Sequence, residues 1–92
     1  MNDDWDEVGY VISSRYRVAV LGRLANSPAT PSKIATDEGL SVSHVSRALS
    51  GLAEHGLVEL LVPEERRKGR VYGITTEGRE AWDLIQAKDL LE

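Results

Sequence analysis

A mainly α-helical single domain carrying one small β-hairpin is predicted by three features of this 92-residue chain. Apolar residues recur at helical spacing through most of its length. The pattern switches to two short aliphatic runs between Leu57 and Thr75. Pro28, Pro31 and Pro63 each fall at an apparent element boundary, where proline's fixed φ and missing N–H do least harm. A chain of this size supports one modest core, so residues 1–92 read as one domain.

The elements follow in order from local signals. Ser13-Ser14 offers an N-cap for a helix running to about Asn26, with Val18, Val20, Leu21, Leu24 and Ala25 at helical spacing. Upstream, Trp5, Val8, Val11 and Ile12 also repeat at three and four. Either that helix starts earlier or a short separate turn precedes it. Thr30-Pro31 is a cap followed by proline at the first helical position, opening a short helix with Ile34 and Ala35 inward that ends at Gly39. The triplet Gly39-Leu40-Ser41 leads into a helix whose Val42, Val45, Leu49 and Leu52 form one apolar stripe, stopped by Gly56. Two short helices about a tight glycine turn, the second capped by serine, make a helix-turn-helix over about 31–55.

Residues 57–62 and 70–75 read as strands joined by a charged tip, giving a hairpin over about 57–75 with a third short strand near Ala29-Thr30. Thr76 is then expected to cap a last helix over about 76–91. Glu77 and Glu80 suit the dipole of its first turn, and Ala81, Trp82, Leu84, Ile85 and Leu91 form its apolar side.

Composition narrows the function. The absence of cysteine removes disulfides, thiolate nucleophiles and soft metal ligands, which suits an intracellular protein. No positively charged start leads into an apolar run, and no stretch approaches the ~20 apolar residues of a membrane span, so a cytoplasmic location is expected. His44 and His55 lie far apart with no acid at ligand spacing, so no intrinsic metal is expected. No nucleophile elbow, no base oriented by an acid and no phosphate-cradling glycine loop is present. The chain therefore reads as neither an enzyme nor a cofactor binder.

The net charge of -4 argues at first against a nucleic-acid partner. Its distribution argues otherwise. Residues 1–10 carry -4 and residues 77–92 carry -3, whereas residues 11–76 hold nine bases against six acids. A basic middle between acidic ends leaves one face able to meet DNA.

With the stripe of the predicted helix that follows Ser41 committed to the core, Ser43, His44, Ser46, Arg47, Ser50 and Gly51 turn outward, behind the cap Ser41. These are short or polar, as close approach to a groove requires. Arg47 suits a bidentate pair to guanine, and Ser41, Ser43, His44, Ser46 and Ser50 suit base edges or phosphates. The bland alternative is a solvated helix face, but an unconstrained one favours Glu, Lys and Ala over serine. Thr30, Ser32 and Lys33 stand where free helix N–H groups hold a phosphate, or simply cap the helix. Arg66, Arg67, Lys68 and Arg70 crowd the hairpin tip and suit the adjacent backbone or minor groove. Glu64 and Glu65 weaken that field.

The run Gly39-Leu-Ser-Val-Ser-His-Val-Ser-Arg-Ala-Leu-Ser-Gly-Leu-Ala-Glu-His-Gly-Leu-Val58 resembles the turn and recognition helix of winged helix-turn-helix regulators. The hairpin followed by Ile74-Thr-Thr-Glu-Gly78 resembles their wing and final helix, notably in small archaeal regulators and the MarR- and ArsR-like families. This resemblance, over roughly residues 14–90, implies sequence-specific binding of double-stranded DNA and transcription regulation. The metal-sensing branch of the ArsR-like group is not supported, for want of ligands.

Large apolar residues at both ends, Trp5, Tyr10, Trp82 and Ile85, suit a homodimer that sets two recognition helices ~34 Å apart on a palindrome, or else cap a monomer's core. A winged-helix protein-protein adaptor without DNA binding is the competing reading, and the acidic total favours it slightly. A binder of RNA or single strands is weaker, since the chain lacks stacking aromatics.

Overall fold

Local capping chemistry divides the chain as the sequence suggests. The computed structural model describes residues 4–61 and 70–88. The element order is α1 (Asp4–Ile12), α2 (Arg15–Asn26), α3 (Pro31–Glu38), α4 (Val42–Glu54), β1 (Val58–Leu60), β2 (Tyr72–Ile74) and α5 (Thr76–Ala87). This is the winged helix-turn-helix architecture: a helical body with one antiparallel hairpin.

The alternative left open at the start resolves as a separate helix. α1 stops because Ser14 turns extended and caps α2, its hydroxyl accepting the Arg17 N–H, while Ser13 Oγ donates back to the Tyr10 carbonyl at 2.8 Å. Thr30 caps α3 by accepting the Lys33 N–H at 3.1 Å, with Pro31 in the first turn. Gly39 ends α3 at φ 69°, a left-handed conformation that a side chain would disfavour. Ser41 caps α4 in turn, accepting the His44 N–H.

β1 and β2 pair antiparallel with Val58 opposite Ile74 and Leu60 opposite Tyr72. Both described strands are shorter than the sequence runs predict. The third strand near Ala29 is reduced to a single bridge, in which Ala29 and Tyr72 exchange two backbone hydrogen bonds of 3.1 and 2.9 Å. Pro31 explains its brevity, since the chain enters α3 two residues later.

The cap of α5 is Thr75, one residue before the expected Thr76. Thr75 Oγ1 accepts the Gly78 N–H at 3.0 Å and donates to the Gly56 carbonyl at 2.6 Å. Strand pairing decides this register: β2 ends at Ile74, so the next residue is the one free to turn. The core gathers Leu21 and Leu24 of α2, Ile34 of α3, Leu49 and Leu52 of α4, Ile85 of α5 and Leu57 just before β1, all essentially fully buried. Each such side chain contributes about 1.5–3 kcal/mol by leaving water. α2 is the hub, touching α1, α3, α4, α5 and β2, and it holds α4 by its inner face.

Candidate nucleic-acid interface

Fixing α4 through one stripe is what frees its other side. Val45, Ala48, Leu49 and Leu52 are buried, whereas Ser43, His44, Ser46, Arg47 and Ser50 are all exposed, as is the cap Ser41. Two expectations need correction. Val42 is not part of the covered stripe: it is 48% exposed, because the first turn of α4 projects beyond its neighbours and cover begins at Val45. Gly51 does not face outward either. It is half-buried against the Tyr10 hydroxyl, which occupies the space a Cβ would need.

The helix start is organised by side chains from both α2 and α4. Ser41 Oγ lies 2.9 Å from His44 Nδ1 and 3.3 Å from Ser43 Oγ, and the His44 ring stacks on Tyr16 with centroids 4.3 Å apart and planes at 15°. Arg15 lies over the same tyrosine at 5.2 Å. A hollow of about 230 Å³ opens beside this stack, lined by Tyr10, Ser14, Tyr16, Arg17, His44, Arg47 and Ala48. Sequence reasoning missed Tyr16 and Arg17 here. Their only signal was position near the start of α2, which places nothing without the α2–α4 packing.

A second aromatic cluster closes the far side of the hollow. Tyr10 stacks on His55 at 3.7 Å, and the Arg17 guanidinium lies 3.8 Å from the same ring centroid; two such close stacks require opposite ring faces. Arg17 Nη1 donates to the Tyr10 carbonyl at 2.8 Å and to Ser13 Oγ at 2.9 Å, and His55 Nδ1 pairs with Glu7 Oε1 at 2.9 Å. Tyr10 therefore ties α1 to the end of α4.

At the start of α3, Ser32 and Lys33 are exposed, and Thr30 is half-buried with its hydroxyl engaged as the cap. Lys33 Nζ stands 3.5 Å from Asp37, which also accepts from Arg23 Nε at 2.8 Å. The Arg23 hydrogen bond holds the Asp37 carboxyl below its ordinary range, against the opposing desolvation and with help from the Lys33 and Arg23 charges. Of the expected wing bases, Arg70 is exposed, while Arg66, Arg67 and Lys68 lie outside the described residues.

The residues expected at a dimer interface separate. Trp5 is exposed, whereas Tyr10 is half-buried in the cluster above and Trp82 packs over Gly22 of α2. Ile85 must be removed from that set. At 0% exposure it belongs to the domain's own core and presents no surface to a second copy. Among the described residues, no group of three or more His, Asp or Glu is arranged to hold a metal ion, and no helix is long and apolar enough to cross a membrane.

Comparison with known proteins agrees with this geometry. The homodimeric winged helix-turn-helix DNA-binding domain of Mb0332 from Mycobacterium bovis, a possible ArsR-family regulator, is 26% identical. The match covers 95% of this chain and 79% of that one, with a TM-score of 0.75. MepR of S. aureus, solved as a DNA complex, is 19% identical over 91% of this chain and 71% of its own, at TM-score 0.72. ZitR of Lactococcus lactis is 22% identical over 80% of this chain, also at 0.72, and the chain spans about half of its length, 51%. None of the curated proteins matches the chain. The family model of the HVO_A0261 N-terminal domain matches residues 5–89. The chain belongs to the HVO_A0261 N-terminal domain family and has the winged helix-turn-helix fold of MarR- and ArsR-type transcription regulators.

Proposed function

We propose that the chain is a sequence-specific, double-stranded DNA-binding transcriptional regulator, with residues 1–92 acting as one non-enzymatic, cytoplasmic domain. The observation that carries this reading is the exposed outer face of α4. Five of its residues, Ser43, His44, Ser46, Arg47 and Ser50, are polar, exposed and free of the core. An α-helix fits the major groove, and this one carries small side chains around one long donor, Arg47. The likeness to the DNA-binding domain of Mb0332 and to MepR, solved as a DNA complex, supports it.

In this reading Arg47 and its serine neighbours read bases. The exposed Ser32 and Lys33 side chains and the Ser32 N–H meet a phosphate, Pro31 having no N–H and Lys33 and Ile34 donating theirs to Thr30. The wing bases Arg66, Arg67, Lys68 and Arg70 lie on the adjacent backbone or minor groove. Two copies bind together, as the homodimeric Mb0332 domain suggests. The test is a titration of the pure protein with mixed duplex DNA over a range of salt. Binding at low salt is expected, with Arg47→Ala losing about 1–3 kcal/mol of preference for the best sequence. Replacing Arg66, Arg67 and Lys68 by Ala is expected to lower the slope of log affinity against log salt by up to about 0.9 per lost contact. Absence of binding at low salt, in the wild type and Arg47→Ala alike, turns the assignment toward a protein-protein adaptor. An unchanged slope removes the wing from the interface.

A further inference from the structure

We infer that His44 reads guanine through a single N–H donor at Nε2, a tautomer set by Ser41, and that Tyr16 of α2 is the positioning residue that fixes the plane of its ring. This inference rests on the DNA-binding reading above and adds a specificity-determining group to it.

The argument starts from the hydrogen-bonding capacity of one hydroxyl. Ser41 Oγ has three neighbours: the His44 backbone N–H at 3.3 Å, Ser43 Oγ at 3.3 Å and His44 Nδ1 at 2.9 Å. A hydroxyl offers one proton and two lone pairs, so it can satisfy all three partners. The backbone N–H can only donate and takes one lone pair. An imidazole nitrogen is the strongest acceptor of the remaining two, and it makes the shortest of these contacts. Two arrangements satisfy all three contacts: Ser41 donates to Nδ1 while Ser43 donates to Ser41, or Nδ1 donates to Ser41 while Ser41 donates to Ser43. We assign the first, in which the stronger acceptor takes the proton. In the neutral ring, Nδ1 as acceptor places the ring proton on Nε2.

The second step is orientation. A lone surface histidine rotates freely, but this ring is held at one edge by Ser41 and across its face by Tyr16, 4.3 Å away and 15° from parallel. Tyr16 is itself half-buried against the core. His44 thus enters a groove with its ring pre-oriented, and Nε2, on the side away from the helix cap, is the nitrogen left for a partner. Guanine presents two adjacent acceptors, N7 and O6, to such a donor. Adenine sets an amino group beside its N7, which opposes it.

Two measurements test this. In the free protein labelled with 15N, a long-range correlation spectrum above the range where the ring is charged is expected to show His44 with a protonated Nε2 and a bare Nδ1. Ser41→Asp preserves the cap but offers only acceptor oxygens, so it is expected to move the proton to Nδ1. A protonated Nδ1 in the wild type overturns the inference. Selection from a random duplex pool is the second. The wild type is expected to prefer guanine about tenfold at one position. His44→Gln should change that position to adenine, which an amide reads with two bonds. Tyr16→Phe, which keeps the stacking ring, should retain the preference, and Tyr16→Leu should erase it at that position while the preferences at the other enriched positions persist. An enriched motif that His44→Gln leaves untouched overturns the inference and spares the regulator reading. A pool from which the wild type enriches nothing overturns the regulator reading itself, and this inference with it.

Discussion

Asp37 shows how much one exposed carboxylate does between two bases. It joins Arg23 of α2 to Lys33 of its own helix, and so pins α3 beside α2. The Arg23 hydrogen bond is the largest influence on its titration, and the net effect lowers it from the ordinary value of about 3.8. A carboxyl that is more acidic folded than unfolded stabilises the fold fully above its unfolded value, and that contribution is lost as pH falls through the lowered folded value. Asp37→Asn should therefore reduce stability near neutral pH and flatten the acid limb of the stability curve below about pH 4. Urea midpoints of the two proteins across that range check it, and parallel acid limbs would show that solvent screens the pair.

At the scale of elements, the closest approach to backbone at a glycine is that of the first turn of α5 to the strand entry. A Cβ at Gly78 would strike the Leu57 carbonyl oxygen and stand 2.8 Å from Ile74 Cγ1. That carbonyl cannot retreat easily, because it accepts the Thr75 N–H at 3.0 Å. Alanine gains up to about 1 kcal/mol in helix propensity over glycine, whereas overpacking costs about 1–3 kcal/mol. Gly78→Ala is expected to destabilise on balance. Gly9→Ala in α1, where no atom lies within 4 Å of the added methyl, is the contrasting case and should stabilise by about 0.5–1 kcal/mol. Denaturant midpoints for the pair decide it, and equal effects would remove the close approach as the cause. Neither outcome is visible in the sequence, where both glycines simply interrupt helical patterns.

For the whole molecule, the long dimension is 37 Å, about one turn of duplex, ~34 Å, so on the proposed reading one copy is expected to cover one half-site. The proposed dimer needs an apolar surface outside α4, and Trp5, 51% exposed on the α1 that packs against α5, offers one. Sedimentation equilibrium is expected to give a dimer for the wild type and a shift toward monomer for Trp5→Asp. A variant that remains dimeric would move the interface away from α1.

The element order from α2 to α5, the caps at Ser14, Thr30 and Ser41 and the glycine ends of α3 and α4 were determined by the sequence alone, because each is a bargain struck within four residues of backbone, whereas the separate α1 was settled only by the structure. The outward set of α4 was legible for the same reason, since helical period assigns faces without knowing what lies opposite. Tertiary structure decided the exceptions. Val42 emerged because α4 overruns its cover, Gly51 turned inward because Tyr10 arrives from α1, and Ile85 vanished into the core that both ends build together. It also brought Tyr16 to His44, two residues separated by 27 positions of chain. Burial and stacking depend on what distant segments deliver to a point in space, and a local pattern carries no record of that.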